Sequence, residues 1–187
     1  MQIIRSGLWR SPRLVLFGGS AAPFVYPSAG NPRVAILMPG FRETKQIRFF
    51  SRLDGDEAVR FEPEVLAGTS TQLREIALRG LAHSVRNGVV AFTRDGEAGL
   101  TEYDRNIFWD AFGVPAFQQF LDRHNRLVAS ECDAHDGLHV YGSAPRHDDW
   151  RLDDTPCGCG NPRPRLTIRS EVAEGEMSCP VRQTLKK

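Results

Sequence analysis

The middle of the chain alternates between helix-start signals and short β-rich runs, and this order narrows the fold more than any other feature. Thr69-Ser70-Thr71-Gln72 has the form of a capping box, a threonine hydroxyl answered three residues later by a glutamine. Leu73, Ile76, Ala77 and Leu81 then recur at helical spacing, which predicts a helix of about three turns. Val89–Thr93 is β-rich and stops at a turn, Asp95-Gly96. Thr101 with Asp104 begins a second capped helix, whose apolar face is Ile107, Phe108, Ala111 and Phe112 and whose end is Gly113. Val114-Pro115 opens a strand to Leu121. Such an order predicts an α/β domain with a mixed sheet flanked by helices.

The flanking segments are less regular. Residues 1–33 carry Gly18, Gly19, Pro23, Pro27, Gly30 and Pro32 and read as an irregular arm with one short strand, Leu14–Phe17. Gly18-Gly19-Ser20 lacks the ending of a phosphate loop and reads as a turn. Val34–Met38, closed by Pro39-Gly40, reads as a buried strand. Residues 42–60 alternate poorly; part of them is expected to be helical, with a turn at Leu53-Asp54-Gly55-Asp56. Arg126–Cys132 and Leu138–Tyr141 are two further strands joined at Asp136-Gly137. Residues 142–164 are rich in Pro, Gly and Asp, and Leu166–Arg169 is a short strand. The division is therefore an arm over 1–33, one α/β domain over 34–170, and a flexible tail over 171–187. The late strands are expected to form an antiparallel meander around the cysteines.

A chain of 187 residues suits one domain able to bury about 70% of its unfolded surface. Its formal charge of +1 offers no bulk attraction for nucleic acid or a membrane surface. No window approaches the roughly 18 apolar residues of a membrane span. Arg5, Arg10 and Arg13 precede only a short apolar run without a small-residue cleavage site, so no signal peptide and a cytoplasmic location are expected. In that setting Cys132, Cys157, Cys159 and Cys179 are expected to be reduced or metal-bound rather than disulfide-paired.

The cysteines carry the chemistry. In ECDAHDGLHV (131–140) Cys132 and His139 lie six residues apart across a proposed hairpin; in TPCGCGNPRPRL (155–166) Cys157 and Cys159 flank Gly158, with Gly160 beyond. Three thiolates and one imidazole complete a tetrahedral shell for zinc, and a shell closed by four protein ligands is structural. His135 competes with His139 as the nitrogen ligand; His139 is preferred because it lies in the strand-like run. Cys179, in the tail, is a poor candidate. Against the metal stands the reading of these cysteines as small buried apolar residues.

ECDAHDGLHV followed by CGCGNPRPRL resembles the phenylacetate–CoA ligase-like branch of the adenylate-forming enzymes, in which Glu-Cys, Gly-Leu-His and Cys-x-Cys-Gly occur in this order. The likeness points to Cys132, His139, Cys157 and Cys159 as ligands of a structural zinc in a zinc-bound region over 131–166. It extends upstream through Leu66-Ala67-Gly68-Thr69-Ser70, Arg94-Asp95-Gly96-Glu97 with Leu100-Thr101, and Phe112-Gly113-Val114-Pro115, covering residues 62–168. The implied fold is one subdomain of an adenylate-forming enzyme.

The departures are as informative. The family's Tyr-Gly-x-Thr-Glu is replaced by Phe117-Gln118-Gln119-Phe120-Leu121-Asp122. No phosphate loop ending in Pro-Lys is present. The Tyr-Arg-Thr-Gly-Asp before the cysteine pair has become Arg146 to Asp153, in which Asp153 stands as a lone aspartate. The mobile domain with its catalytic lysine is expected to be missing, since Lys186 and Lys187 do not replace it. Adenylation needs those groups to neutralise and orient the triphosphate, so the chain is not expected to be active alone. The expected function is a non-catalytic, zinc-stabilised binding or accessory subunit, forming a homo-oligomer or covered by a partner protein. The alternatives are one component of a split AMP-forming acyl- or aryl-CoA ligase, or a sensor of a small aryl acid or acyl ligand.

No G-x-S-x-G elbow is present. Asp148-Asp149 and Asp153-Asp154 read as solvated surface, Phe108 and Trp109 as core or interface, and Glu97 as a turn residue whose counterpart in the resembling family sits by the substrate cleft. Arg163 and Arg165 read as solvated arginines near the metal loop.

Overall fold

A computed structural model describes residues 21–81, 84–142 and 150–168. The strand expected at Leu14–Phe17, the turn at Gly18-Gly19-Ser20, Asp148-Asp149, Cys179 and the tail lie outside the described residues. Those described build one nine-stranded mixed sheet and three helices. The elements are β1 (Val34–Ile36), β2 (Ile47–Phe49), α1 (Asp56–Phe61), β3 (Val65–Thr69), α2 (Ser70–Leu78), β4 (Gly88–Thr93), α3 (Glu102–Phe112), β5 (Ala116–Leu121), β6 (Leu127–Ser130), β7 (Leu138–Val140), β8 (Trp150–Asp153) and β9 (Arg165–Ile168). The strand order is β2-β1-β3-β4-β5-β6-β7-β9-β8. Pairing is parallel as far as β5 and antiparallel beyond it.

Connections through α1, α2 and α3 all advance the same way along the sheet. Right-handed crossovers therefore place the three helices on one face, where Phe61, Leu73, Ile76 and Phe108 pack on Ala35, Leu66, Val89 and Ala91. The β1-to-β2 connection runs the other way and crosses the opposite face. There its Phe41 stacks on Phe92 at 5.1 Å, and Phe24 of the arm meets both rings edge-on at 6.2 Å. The expectation of helices flanking the sheet thus holds for one face; aromatic side chains from extended chain cover the other. Because both faces are covered, every residue of β4 and β5 is buried and neither strand alternates in polarity.

Both capping boxes form. The Thr69 hydroxyl accepts from the Gln72 N–H and the Gln72 side chain answers the Thr69 N–H, and Thr101 and Asp104 repeat the pattern. Helix α2 ends at Leu78, earlier than the periodicity implied, yet Leu81 still reaches the core. Gly80, at φ +62°, turns the chain; its N–H bonds the Ala77 carbonyl and the Leu81 N–H bonds the Ile76 carbonyl. This Schellman geometry folds Leu81 back beneath its own helix.

Three strands were not anticipated. β3 was read only as the approach to a helix, although Val65, Leu66 and Ala67 are fully buried. Gly68 lets it approach its neighbour: a Cβ there would lie 2.9 Å from Leu37 Cδ1. β2 and β8 are edge strands of only three and four residues, partly or fully exposed along their length, and runs so short establish no periodicity. The late strands are antiparallel as expected: β5, β6 and β7 pair in chain order and extend the main sheet, after which β9 inserts between β7 and β8. Among the described residues, no helix is long and apolar enough to cross a membrane.

Thr101→Ala removes the hydroxyl that caps α3. We expect it to lower the unfolding free energy by about 1 kcal/mol in urea titrations, with an unchanged denaturant slope.

Candidate metal centre

Two turns at the antiparallel end of the sheet are built alike. Cys132 follows β6 and opens a turn in which the His135 N–H bonds the Cys132 carbonyl at 2.9 Å. Cys157 opens the second, in which the Gly160 N–H bonds the Cys157 carbonyl at 2.9 Å. Gly160 sits at φ +78°, where a side chain would be strained. Gly158, between the two cysteines, is under no such constraint: its backbone is not left-handed and a Cβ there would meet only Ala134, at 4.0 Å. His139 comes from the middle of β7 and is buried between β6 and β9.

These three segments bring Cys132, His139, Cys157 and Cys159 together, with all four donor atoms within 4.8 Å of one another. The Cys132 and Cys157 sulfurs are 3.7 Å apart, and Cys159 Sγ lies 3.2 Å from His139 Nε2. A tetrahedron with zinc–sulfur bonds of about 2.3 Å has sulfur–sulfur edges of about 3.8 Å, so the spacing fits a four-ligand metal shell. Cys132, His139 and Cys157 are buried, while Cys159 is exposed.

The surroundings prepare each donor. His139 Nδ1 lies 3.2 Å from the Arg163 carbonyl, which only accepts, so the proton is assigned to Nδ1 and the Nε2 lone pair faces the sulfurs. The Asn161 N–H points at Cys159 Sγ at 3.4 Å. Hydrogen bonding from the Cys159 N–H is the largest influence on Cys157 and brings its thiol down to about 7. Burial dominates at Cys132 and pushes its thiol up to about 12. Three adjacent thiols cannot all ionise against one another, whereas a bound cation deprotonates them together.

His135, the competing nitrogen ligand, faces elsewhere. Its ring stacks on Phe117 at 5.0 Å, and Nδ1 lies 2.9 Å from Glu131 Oε1. Glu131 was passed over as a functional residue, yet its carboxylate is buried and has three partners. Arg105 Nη2 donates to both oxygens at 2.9 and 3.1 Å, the Gln118 N–H donates at 2.7 Å, and His135 completes the set. Arg105 also donates to the Ala116 carbonyl at 2.5 Å. The only hint in the sequence was a glutamate placed beside a candidate ligand cysteine at the end of an apolar run.

Arg165 corrects another expectation. It was read as solvated, but it is 2% exposed and lies between carboxylates. Its Nη1 bonds the Asp136 carboxylate and the Asp136 carbonyl; its Nη2 bonds Asp153 Oδ2 at 3.0 Å and Thr155 Oγ1 at 2.9 Å. Asp153 therefore serves an internal ion pair. Arg163 places its guanidinium 4.6 Å over the Tyr141 ring. Glu97 accepts the Arg94 N–H at 2.9 Å and closes the turn after β4. Phe108 is fully buried, whereas Trp109 is exposed on the outer side of α3.

Glu131→Gln keeps the volume but sets an amide against the Arg105 guanidinium. We expect a loss of roughly 3 kcal/mol in the unfolding free energy, measured by urea denaturation, because one partner of a buried ion pair is removed.

No protein-family model matches this chain and no curated protein matches it, so the chemistry of the centre rests on the geometry of its own residues.

Proposed function

We propose that this chain is a non-catalytic, zinc-stabilised relative of a phenylacetate–CoA ligase-type domain, acting as a binding or accessory subunit. The observation that carries the reading is the convergence of three sulfurs and one imidazole nitrogen from three segments, all within 4.8 Å. Soft thiolates favour zinc over magnesium or calcium. With four protein ligands the shell has no position for a reactive water, which makes the metal a structural element. When bound, it would join the turn after β6, strand β7 and the turn before β9 into one unit.

The strand that stands where the related enzymes carry Tyr-Gly-x-Thr-Glu supports the absence of adenylation. Gln118 accepts the Leu100 N–H at 3.2 Å and donates to Thr93 at 3.2 Å. Gln119 donates to the Val25 carbonyl at 2.7 Å and to Ser130 at 3.2 Å. Both side chains hold the sheet together instead of facing a cleft. A role in association is supported by Val59, Leu78, Tyr103 and Trp109, which expose large apolar groups on the helices.

The test is metal content by mass spectrometry on protein purified without added metal. We expect about one zinc per chain, lost in Cys132→Ser, Cys157→Ser and His139→Ala, and retained in His135→Ala. Well-folded, metal-free wild-type protein would sink the reading. Binding requires deprotonated thiols, so chelator competition should show affinity falling as the pH drops from 8 to 6. Light scattering of the purified chain should show an oligomer, or a partner retained on purification; a clean monomer without one counts against the accessory role.

A further inference from the structure

Arg165 lies at the centre of the ligand-bearing region without being a ligand. It sits on β9 directly opposite His139 in the pairing register. Its two terminal nitrogens serve different loops. Nη1 holds the Asp136 carbonyl at 2.8 Å and the Asp136 carboxylate, in the loop that leads from Cys132 to His139. Nη2 holds Asp153 and Thr155, in the segment that leads into Cys157 and Cys159. The guanidinium is thus a crosslink between the two turns that supply the sulfurs, anchored on the strand beside the imidazole.

We infer that Arg165 is a positioning residue for the metal centre, setting the distance between the Cys132 turn and the Cys157–Cys159 turn through the Asp136–Arg165–Asp153 bridge; this rests on the metal reading proposed above. The geometry requires arginine. A planar fork presents donors on two sides at fixed separation, whereas the single ammonium of lysine cannot serve both loops. Burial strengthens the constraint, since the guanidinium has little water to turn to if either carboxylate is lost. A net charge of −1 on a divalent ion with three thiolates also gains from a nearby cation. Groups that orient ligands from outside the coordination sphere change metal affinity by about 10–100-fold when removed.

Cobalt(II) titration of the full chain tests this, because its visible absorption reports both affinity and coordination geometry. Wild type is expected to bind one cobalt with the intense bands of a tetrahedral thiolate site. Arg165→Met and Arg165→Lys should each bind about 10–100-fold more weakly, with altered bands, while far-UV circular dichroism keeps the signature of the sheet. Asp136→Asn, which changes a largely exposed side chain, should show a smaller loss in the same direction and carries the test if the Arg165 variants fail to fold. A purely structural Arg165 would lower thermal stability but leave the spectrum and affinity of the folded protein unchanged, and that result, in Arg165→Met or in Asp136→Asn, overturns the positioning role alone. Failure of wild type to bind cobalt would overturn the metal reading, and the positioning role with it.

Discussion

The carboxylate of Glu131 is buried at the seam where the parallel half of the sheet meets the antiparallel half, and both halves depend on how it is satisfied. An unpaired carboxylate there would cost several kcal/mol. Arg105 reaches it from α3, the Gln118 N–H from β5, and His135 from the turn after Cys132. One group therefore ties the helical layer, the central strand and the first ligand-bearing turn together. Its position just before Cys132 means that the seam and the candidate metal centre share a backbone.

Past that seam the sheet narrows to strands of three and four residues, and hydrophobic burial thins out. Phe120, Ala129, Leu138, Val140 and Leu166 form a small cluster of their own there. Short strands with so little apolar area need other restraints to hold their register. The buried Arg165 bridge supplies one, and the convergent cysteines and histidine supply the means for another. Polar and ionic contacts at this end do what aliphatic packing does at the other.

Much of the α/β architecture was legible. The capping boxes at Thr69 and Thr101 and the turn at Asp95-Gly96 are closed by hydrogen bonds within a few residues, and the run at Val34–Met38 is marked by its unbroken apolar composition. The Cys132, His139, Cys157 and Cys159 cluster was legible for a different reason: few side chains bind soft metals, and their types and order stand out as a pattern even when the spacing is uncommon. Strands β2 and β8 were missed because an edge strand is held by backbone pairing with a neighbour, which leaves little trace in side-chain polarity. The aromatic cover on the opposite face of the sheet escaped notice because Phe24, Phe41 and Phe92 meet only after the chain has crossed the sheet.

By itself, the sequence determined the type of the central elements other than β3 and the identity of the candidate ligands, because caps, periodicity and donor chemistry act over a few residues. Only the tertiary structure decided which histidine joins the cysteines. His135 and His139 are four residues apart on one hairpin, but strand pairing turns His139 toward the sulfurs and the turn sends His135 to Phe117 and Glu131. It likewise decided that Arg165, indistinguishable in sequence from a surface arginine, is buried between two carboxylates. Those outcomes depend on which strands lie side by side, and the placement of β9 between β7 and β8 is a long-range choice that no local stretch encodes.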